Sequence, residues 1–382
     1  MSAITPFRID IPQADLDDLH YRLAHTRFVE CLAAEEIPSK VDVGVPTRPG
    51  WEYGVPLSYV VPLLELWRDG FDWRAQEQRL NLFPQFTTQI DEQRIHFVHV
   101  VSPEPDATPL LLAPGWPSSF TEFLGLVPKF TDPRSHAGNP ASAFHVVIPS
   151  YPGHGFSGPT RVPGWHPVRA AALYHKLMLR LGYDRYGVHG NDIGALVAPE
   201  MGRLAPEQVI GVHVGHIFSF PRGDRGELDG LNTCELMQVQ YWQRFQQRSA
   251  HHNHVAQPQT LAHALSDSPA GQLAWSGQLL ADSMPADEIL TNISIHWFTN
   301  TSVPSGGIPM ENDKTAPPPG PTTVPLGLAS FTPGMRPLRR FAERDHANIV
   351  QWNEFGIGGR WPAHQEPDLL LYDISEFFAR VI

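Results

Sequence analysis

The stretch that decides the fold is residues 186–194, which read YGVHGNDIG. Its first half is a short apolar strand, and the helical pattern of residues 195–204 follows directly. Glycines on both sides of the central residues permit a sharp strand-to-helix turn, which presents one side chain at the end of the sheet. That side chain is Asp192, whose negative charge is favoured at the amino end of a helix. An ordinary turn with Asp192 as the helix cap is the competing interpretation of these residues alone.

Two loops elsewhere in the chain favour a reactive site over a simple helix cap. Residues 110–117, LLLAPGWP, form a strand and a tight loop, and residues 149–157, PSYPGHGFS, follow the next strand. In this arrangement the backbone amide of Ile193 and one from the loop at Trp116 are candidates for binding a developing oxyanion. His154 lies in the second loop and is a candidate pocket residue. The three loops together predict a site built around a carboxylate nucleophile.

Short apolar runs alternate with helical patterns from about residue 93 onward. This alternation predicts a mostly parallel, doubly wound α/β sheet, in which ligands bind at the carboxyl ends of the strands. The predicted strands are residues 95–101, 110–112, 145–148, 186–188, 209–214, 324–329 and 348–352.

The rest of the chain divides around this core. Residues 1–92 carry helical patterns and are predicted to form an N-terminal extension. Residues 220–321 interrupt the strand pattern, are helical and rich in Gln, His and Trp, and are predicted to form a lid inserted over the site. The core is then residues 93–219 together with residues 322–382.

The composition argues against several classes of partner. A net charge of −12 with neutral histidines argues against nucleic acid, whose phosphates require a basic face. Cys31 and Cys234 are the only cysteines, so no disulfide framework is predicted, which fits a cytoplasmic protein. No apolar run reaches about 18 residues, so neither a membrane span nor an export signal is predicted. We expect no cofactor, and the oligomeric state stays open, with a homodimer as one alternative.

Beyond these patterns, the chain resembles the microsomal-type epoxide hydrolase family nearly from end to end. The resemblance implies an α/β-hydrolase fold, with a mostly parallel eight-stranded sheet, an inserted helical lid and an N-terminal helical extension. It is carried by residues 7–9, 72–74, 81 and 86–88 in the N-terminal region, residues 265–271 in the lid and residues 366–370 in the C-terminal helix.

The family's chemistry implies a role for Asp192. In family members the aspartate on this sharp strand-to-helix turn, called the elbow, attacks an epoxide carbon and forms an ester. A histidine held by an acid then activates water to cleave the ester, while lid tyrosines donate to the epoxide oxygen.

Several positions at which the family carries these helpers hold other residues here. Arg360 stands where the histidine should follow Gly358-Gly359. Because a guanidinium cannot act as a base at physiological pH, we expect Arg360 to pair with Asp192 and to lower its pKa. A solvated loop arginine is the alternative. The other replaced positions are Gly334 for the acid, Pro309 and Ala250 for the two lid tyrosines, and Pro114 for a loop histidine.

Other histidines were weighed as replacements for the missing base. His364 lies about one helical turn after Arg360 and is the best candidate, followed by His154. His346 is excluded because it lies at the start of the last strand, far from the site end. The histidines at 251, 252 and 254 fit a polar lid surface better than a metal site, so no metal is predicted. Trp297 fits the core of a helical lid and is a candidate lining residue of an apolar pocket.

Three functions follow from this pattern. The first is an epoxide hydrolase with a covalent Asp192 ester and a relocated histidine. The second keeps the pocket but changes the reaction to a cyclisation, isomerisation or elimination, with Asp192 as base or electrostatic anchor. The third is a catalytically silent binding protein. The second is favoured, because loss of groups that act as a unit costs about 10⁴ to 10⁶ in rate. By analogy alone, its substrate is an apolar small molecule of a natural-product pathway.

Overall fold

The computed structural model describes residues 3–30, 50–51, 53–248, 258–301, 320–331 and 336–382. Among the helices of these residues, none is both long and apolar enough to span a bilayer.

A nine-stranded sheet forms the centre of the molecule, in the order β1-β2-β3-β5-β4-β6-β7-β8-β9. Three neighbouring pairs are antiparallel: β1 with β2, β2 with β3, and β3 with β5. Every other neighbouring pair is parallel. The predicted α/β-hydrolase architecture is therefore confirmed, with nine strands rather than the expected eight. The strands are β1 (Thr5–Phe7), β2 (Gln85–Ile90), β3 (Gln93–Val100), β4 (Thr108–Ala113), β5 (Phe144–Pro149), β6 (Tyr186–Gly190), β7 (Val209–Val214), β8 (Leu326–Ser330) and β9 (Ile349–Glu354).

Helices pack on both faces of this sheet. Such helices bury one apolar side, as in the first helix, where Leu16, Leu19 and Leu23 recur on one face and are all buried. The helices of the described residues are α1 (Gln13–Ala24), α2 (Leu57–Asp69), α3 (Trp73–Leu80), α4 (Val127–Thr131), α5 (Pro167–Arg180), α6 (Gly194–Leu204), α7 (Thr233–Arg248), α8 (Pro258–Asp267), α9 (Pro269–Leu280), α10 (Ala286–Thr299), α11 (Arg339–Asp345), α12 (Pro362–Gln365) and α13 (Pro367–Val381).

The N-terminal region was expected to be helical, but it also contributes two strands to the sheet. Strands β1 and β2 extend the sheet through β3, and a reciprocal pair of hydrogen bonds links Asn81 to the backbone of Ile9 at 2.9 and 2.8 Å. Side chains of α1, α2 and α3 also share one buried apolar cluster with β4, α10 and α13. The N-terminal region therefore takes part in the same core as the strands that carry the site.

Helices α7 to α10 lie between β7 and β8 in the chain. Helix α10 is tied to the loop that follows β4. Asn292 accepts hydrogen bonds from the hydroxyls of Ser119 and Thr121 at 2.7 and 3.0 Å, and Nε2 of His296 lies 3.1 Å from the Pro117 carbonyl. The insertion thus holds the loop containing Trp116, which contacts the elbow.

Candidate active site

The turn between β6 and α6 is as sharp as the sequence predicts. Asp192 adopts a left-handed backbone conformation with φ +51°. A Cβ on Gly190 would lie 2.1 Å from the Gly194 carbonyl oxygen, and one on Gly194 would lie 1.9 Å from the Ala113 carbonyl oxygen. Only glycine fits at these two positions, because the backbone segments approach too closely for any side chain. This crowding sets the carboxylate of Asp192 at the carboxyl end of the sheet.

The loop after β4 closes over the elbow. Gly115 lies so near that an added Cβ would be 2.5 Å from the Cβ of Asp192. The next backbone amide, that of Trp116, donates a hydrogen bond to Oδ1 of Asp192 at 3.0 Å. An amide expected to serve an oxyanion therefore binds the carboxylate itself in this structure.

Arg360 binds the other oxygen of the Asp192 carboxylate. Its Nε and Nη2 atoms both donate to Oδ2, at 2.9 and 2.5 Å. The side chains are 26% and 11% exposed for Arg360 and Asp192, so water screens this ion pair only in part. Burial alone would raise the pKa of Asp192, but Arg360 and the Trp116 amide outweigh it and hold the pKa below its usual value. Asp192 is thus held ionised, with both oxygens engaged.

A second buried carboxylate, Glu122, lies behind the loop and was missed from the sequence. It accepts from the Gly115 amide at 2.9 Å and from the side-chain amide of Asn191 at 2.7 Å. The same Asn191 nitrogen donates to the Arg360 carbonyl at 2.9 Å, so these contacts link all three segments around Asp192. Burial raises the pKa of Glu122 to about 8, against the opposing effect of its two donors. A lone acid within the apolar stretch FTEFLGLV, residues 120–127, was the available signal.

His216 is the second residue that the sequence analysis missed. It follows β7 by two positions, as Asp192 follows β6 by two, and Gly190 is paired with Val214 in the parallel ladder. The imidazole is buried and within electrostatic range of both Asp192 and Arg360. Burial lowers the pKa of His216 to about 4, so the ring is neutral at physiological pH. Its position just beyond the carboxyl end of a predicted strand was the signal that could have found it.

A small cavity of about 10 Å³, the space of roughly one water molecule, adjoins this constellation. Trp116, Ile193 and His154 line it together. Nδ1 of His154 lies 3.3 Å from the Pro152 carbonyl, and its ring meets the Tyr151 ring edge-on with centroids 5.2 Å apart. Pro114 also lines the cavity.

The structure does not bring His364 or Trp297 to Asp192. The charged groups that act on His364 are Glu288 and Arg79, and burial lowers its pKa. Trp297 packs instead against Arg22 of α1, whose guanidinium lies 5.8 Å from the centre of the indole ring. Each departs from its expected place because the helix carrying it presents it toward the N-terminal region.

The remaining residues named from the sequence are His346 and several positions outside the described residues. His346 hydrogen-bonds to Thr322 at 2.8 Å, close to where β9 begins, in agreement with its exclusion from the site. The remaining positions lie outside the described residues: Gly334, Pro309, Ala250, Cys31 and the histidines at 251, 252 and 254.

Comparison with known proteins places this site in context. Residues 4–123 match the model of the epoxide hydrolase N terminus, and residues 108–257 match that of the alpha/beta hydrolase fold. A putative epoxide hydrolase of Stigmatella aurantiaca (strain DW4/3-1) is 35% identical over 99% of this chain and 85% of its own length. Epoxide hydrolase 1 of Oryctolagus cuniculus is 30% identical over 99% of this chain and 89% of its own. The structure of Aspergillus niger epoxide hydrolase superposes with a TM-score of 0.82 at 28% identity, covering 100% of this chain and 97% of that one.

Proposed function

The chain belongs to the epoxide hydrolase family, and from that premise we propose that it is an enzyme whose reaction does not add water to its substrate. The proposed reaction is an isomerisation, of which an intramolecular cyclisation is the simplest form. Its proposed substrate is an apolar small molecule, by analogy an intermediate of a natural-product pathway. Asp192 and Arg360 are the proposed catalytic residues.

The observation that carries this proposal is the pair formed by Arg360 and Asp192. Oδ2 of Asp192 accepts two hydrogen bonds from the guanidinium, and Oδ1 accepts one from the Trp116 amide. A carboxylate whose oxygens are engaged and whose pKa is lowered is a weakened nucleophile and a weak base. Arg360 cannot remove a proton from water, so this pair cannot hydrolyse an ester at Asp192. The pair suits charge stabilisation better than covalent catalysis.

In the proposed mechanism each partner stabilises one of the charges that develop as an epoxide opens. The Arg360 guanidinium donates to the epoxide oxygen as its bond to carbon breaks. The Asp192 carboxylate faces the carbon that becomes electron-poor, where a hydroxyl of the same substrate attacks. The hydroxyl proton passes to solvent as the new carbon–oxygen bond forms, and the opened epoxide oxygen takes up a proton from solvent. The product therefore has the mass of the substrate, and no water is consumed.

His216 favours a second candidate, an epoxide hydrolase with a relocated histidine. A neutral imidazole buried beside the elbow has the protonation state that a general base requires. In this alternative Asp192 attacks the epoxide, and His216 activates the water that cleaves the ester.

One experiment separates the two candidates. An aryl-substituted epoxy alcohol, whose hydroxyl can reach the epoxide carbon, is incubated with the protein in heavy-oxygen water. The proposal expects a cyclic ether without label and an unchanged mass of the intact protein. A labelled product, or an adduct on Asp192, would contradict it.

Two variants sharpen the result. Arg360→His removes the proposed electrophile and should lower cyclisation about 100-fold. It should increase the turnover of the second candidate, because it frees the Asp192 nucleophile from the ion pair. Arg380→His is the matched control, because that arginine pairs with Glu376 on the exposed face of α13. His216→Gln should abolish any labelled product if the second candidate holds, and should leave cyclisation largely intact if the first does.

A further inference from the structure

A second concave surface lies where the β2–β3 hairpin meets residues 157–169. This groove has a volume of about 1090 Å³ and shares no lining residue with the cavity beside Asp192. Its walls include hydroxyls of the sheet edge, among them those of Thr5 and Thr87. A groove of this size accommodates a ligand larger than a single ion.

Three arginines line the groove: Arg94, Arg161 and Arg169. Within the described part of the chain, none of the three forms a salt bridge. The acidic residues of the groove are Asp91 and Glu92, and Asp91 is already paired with Lys176 at 2.5 Å. The groove is therefore positive on a protein whose net charge is −12.

Local structure makes room for Arg94 and holds Arg169 in place. Gly158, at φ +73°, leaves room for Arg94, because a Cβ there would lie 2.9 Å from its Nη2 atom. The Arg169 guanidinium lies 3.9 Å from the centre of the Trp165 ring and donates to the Pro163 carbonyl at 2.9 Å. Ordering before binding reduces the entropy lost when a ligand docks.

Trp165 lies beneath Arg169 in the wall of the groove. It lines the groove but is only 5% exposed, and the Tyr151 hydroxyl holds its carbonyl at 3.2 Å. Its indole N–H is buried and has no acceptor among the described residues. The ring beneath Arg169, rather than this N–H, is therefore what Trp165 contributes to the groove.

We propose that this groove binds a phosphorylated small molecule. The planar guanidinium fork matches phosphate oxygens, and three guanidinium groups without a salt bridge among the described residues suit a ligand with more than one negative charge. The groove is separate from the site at Asp192, so the ligand is an additional one rather than the substrate of the proposed reaction. The dimensions allow a phosphate with an organic body attached.

The test is calorimetric titration of the full-length protein with inorganic pyrophosphate and with ATP at low ionic strength. We expect both probes to bind, ATP more tightly, and added salt to weaken both. Arg94→Gln and Arg161→Gln should each raise the Kd about tenfold. Arg68→Gln is the matched control, because Arg68 pairs with Asp69 on α2 and does not line the groove.

Three outcomes would overturn the proposal. The first is no heat of binding for either probe at millimolar concentration. The second is an equal Kd in Arg94→Gln and Arg68→Gln. The third is binding to vesicles containing phosphatidic acid without binding to the soluble probes, which would identify a membrane surface as the partner. Activity at Asp192 plays no part in these readouts, so they stand independently of the proposed reaction.

Discussion

At the scale of single residues, the state of Asp192 results from two opposing effects. Burial favours the neutral acid, whereas Arg360 and the Trp116 amide favour the carboxylate and prevail. Because the pKa is lowered in the folded state, this carboxylate contributes stability above the unfolded pKa of about 3.9. The contribution is lost as the pH falls through the folded pKa.

Replacing Arg360 with methionine should reverse this balance. Burial then acts on Asp192 with only the Trp116 amide and the weaker effect of His216 opposing it, so its pKa should rise above the ordinary value. We expect the free energy of unfolding at pH 7 to fall by about 2–3 kcal/mol, less than for a fully buried pair, because Arg360 is partly exposed. Stability should then increase as the pH is lowered, opposite to the wild type. Chemical denaturation across a pH series measures this, and an unchanged slope would show that the pair does not set the ionisation.

The crowded glycines of the elbow give a second prediction at this scale. Gly194→Ala places a methyl group 1.9 Å from the Ala113 carbonyl oxygen, so α6 or β4 must shift. We expect a loss of about 3 kcal/mol in the free energy of unfolding. Gly125→Ala is the control, because nothing lies within 4 Å of an added Cβ there. Equal melting temperatures for the two variants would contradict the account of the turn.

At the scale of elements, a buried polar chain joins three strands to the C-terminal helix. The two Nδ1 atoms of His189 in β6 and His213 in β7 are 2.8 Å apart, and Nε2 of His213 lies 2.7 Å from Asp373 in α13. The same carboxylate accepts from Gln351 and Asn353 of β9 at 2.7 and 2.5 Å. Burial would raise the pKa of Asp373, but these donors, led by His213, lower it. These hydrogen bonds hold α13 against β6, the strand that precedes the elbow.

Asp373→Asn should therefore weaken the whole packing of α13. An amide cannot accept from three donors at once, so we expect the free energy of unfolding at pH 7 to fall by about 3 kcal/mol. The stabilising effect of the wild-type carboxylate is present above the unfolded pKa and disappears in acid, so the two proteins should converge as the pH falls. Asp368→Asn, on the exposed part of the same helix, is the control and should change stability by less than about 1 kcal/mol. A constant difference at all pH values would show that the charge is not what matters.

At the scale of the whole molecule, the sequence predicted what depends on local pattern and spacing. The elbow, its order among the loops and the helical insertion between β7 and β8 follow from such patterns. Strands β1 and β2 do not follow from such patterns, because β1 has three residues and four of the six residues of β2, QFTTQI, are polar. Glu122 and His216 were missed because their importance comes from neighbours far away in sequence. Trp297 and His364 were misplaced because helical spacing does not fix which way a helix is turned.

The contacts between the N-terminal region and the core predict how the protein behaves when the two are separated. Contacts between the N-terminal region and the rest include the β2–β3 pairing, the ion pair of Arg79 with Glu288 at 2.9 Å and the hydrogen bond from Tyr59 to the Gly277 carbonyl at 3.0 Å. Removing residues 1–91 exposes the edge of β3 and much of a shared apolar core, so residues 92–382 alone should be insoluble. Coexpressed as separate fragments cut at the exposed Asp91–Glu92 turn, the two pieces should recover a soluble complex with one cooperative melting transition. The comparison is made by gel filtration and calorimetry, and a folded, soluble 92–382 fragment would show instead that the N-terminal region is an independent appendage.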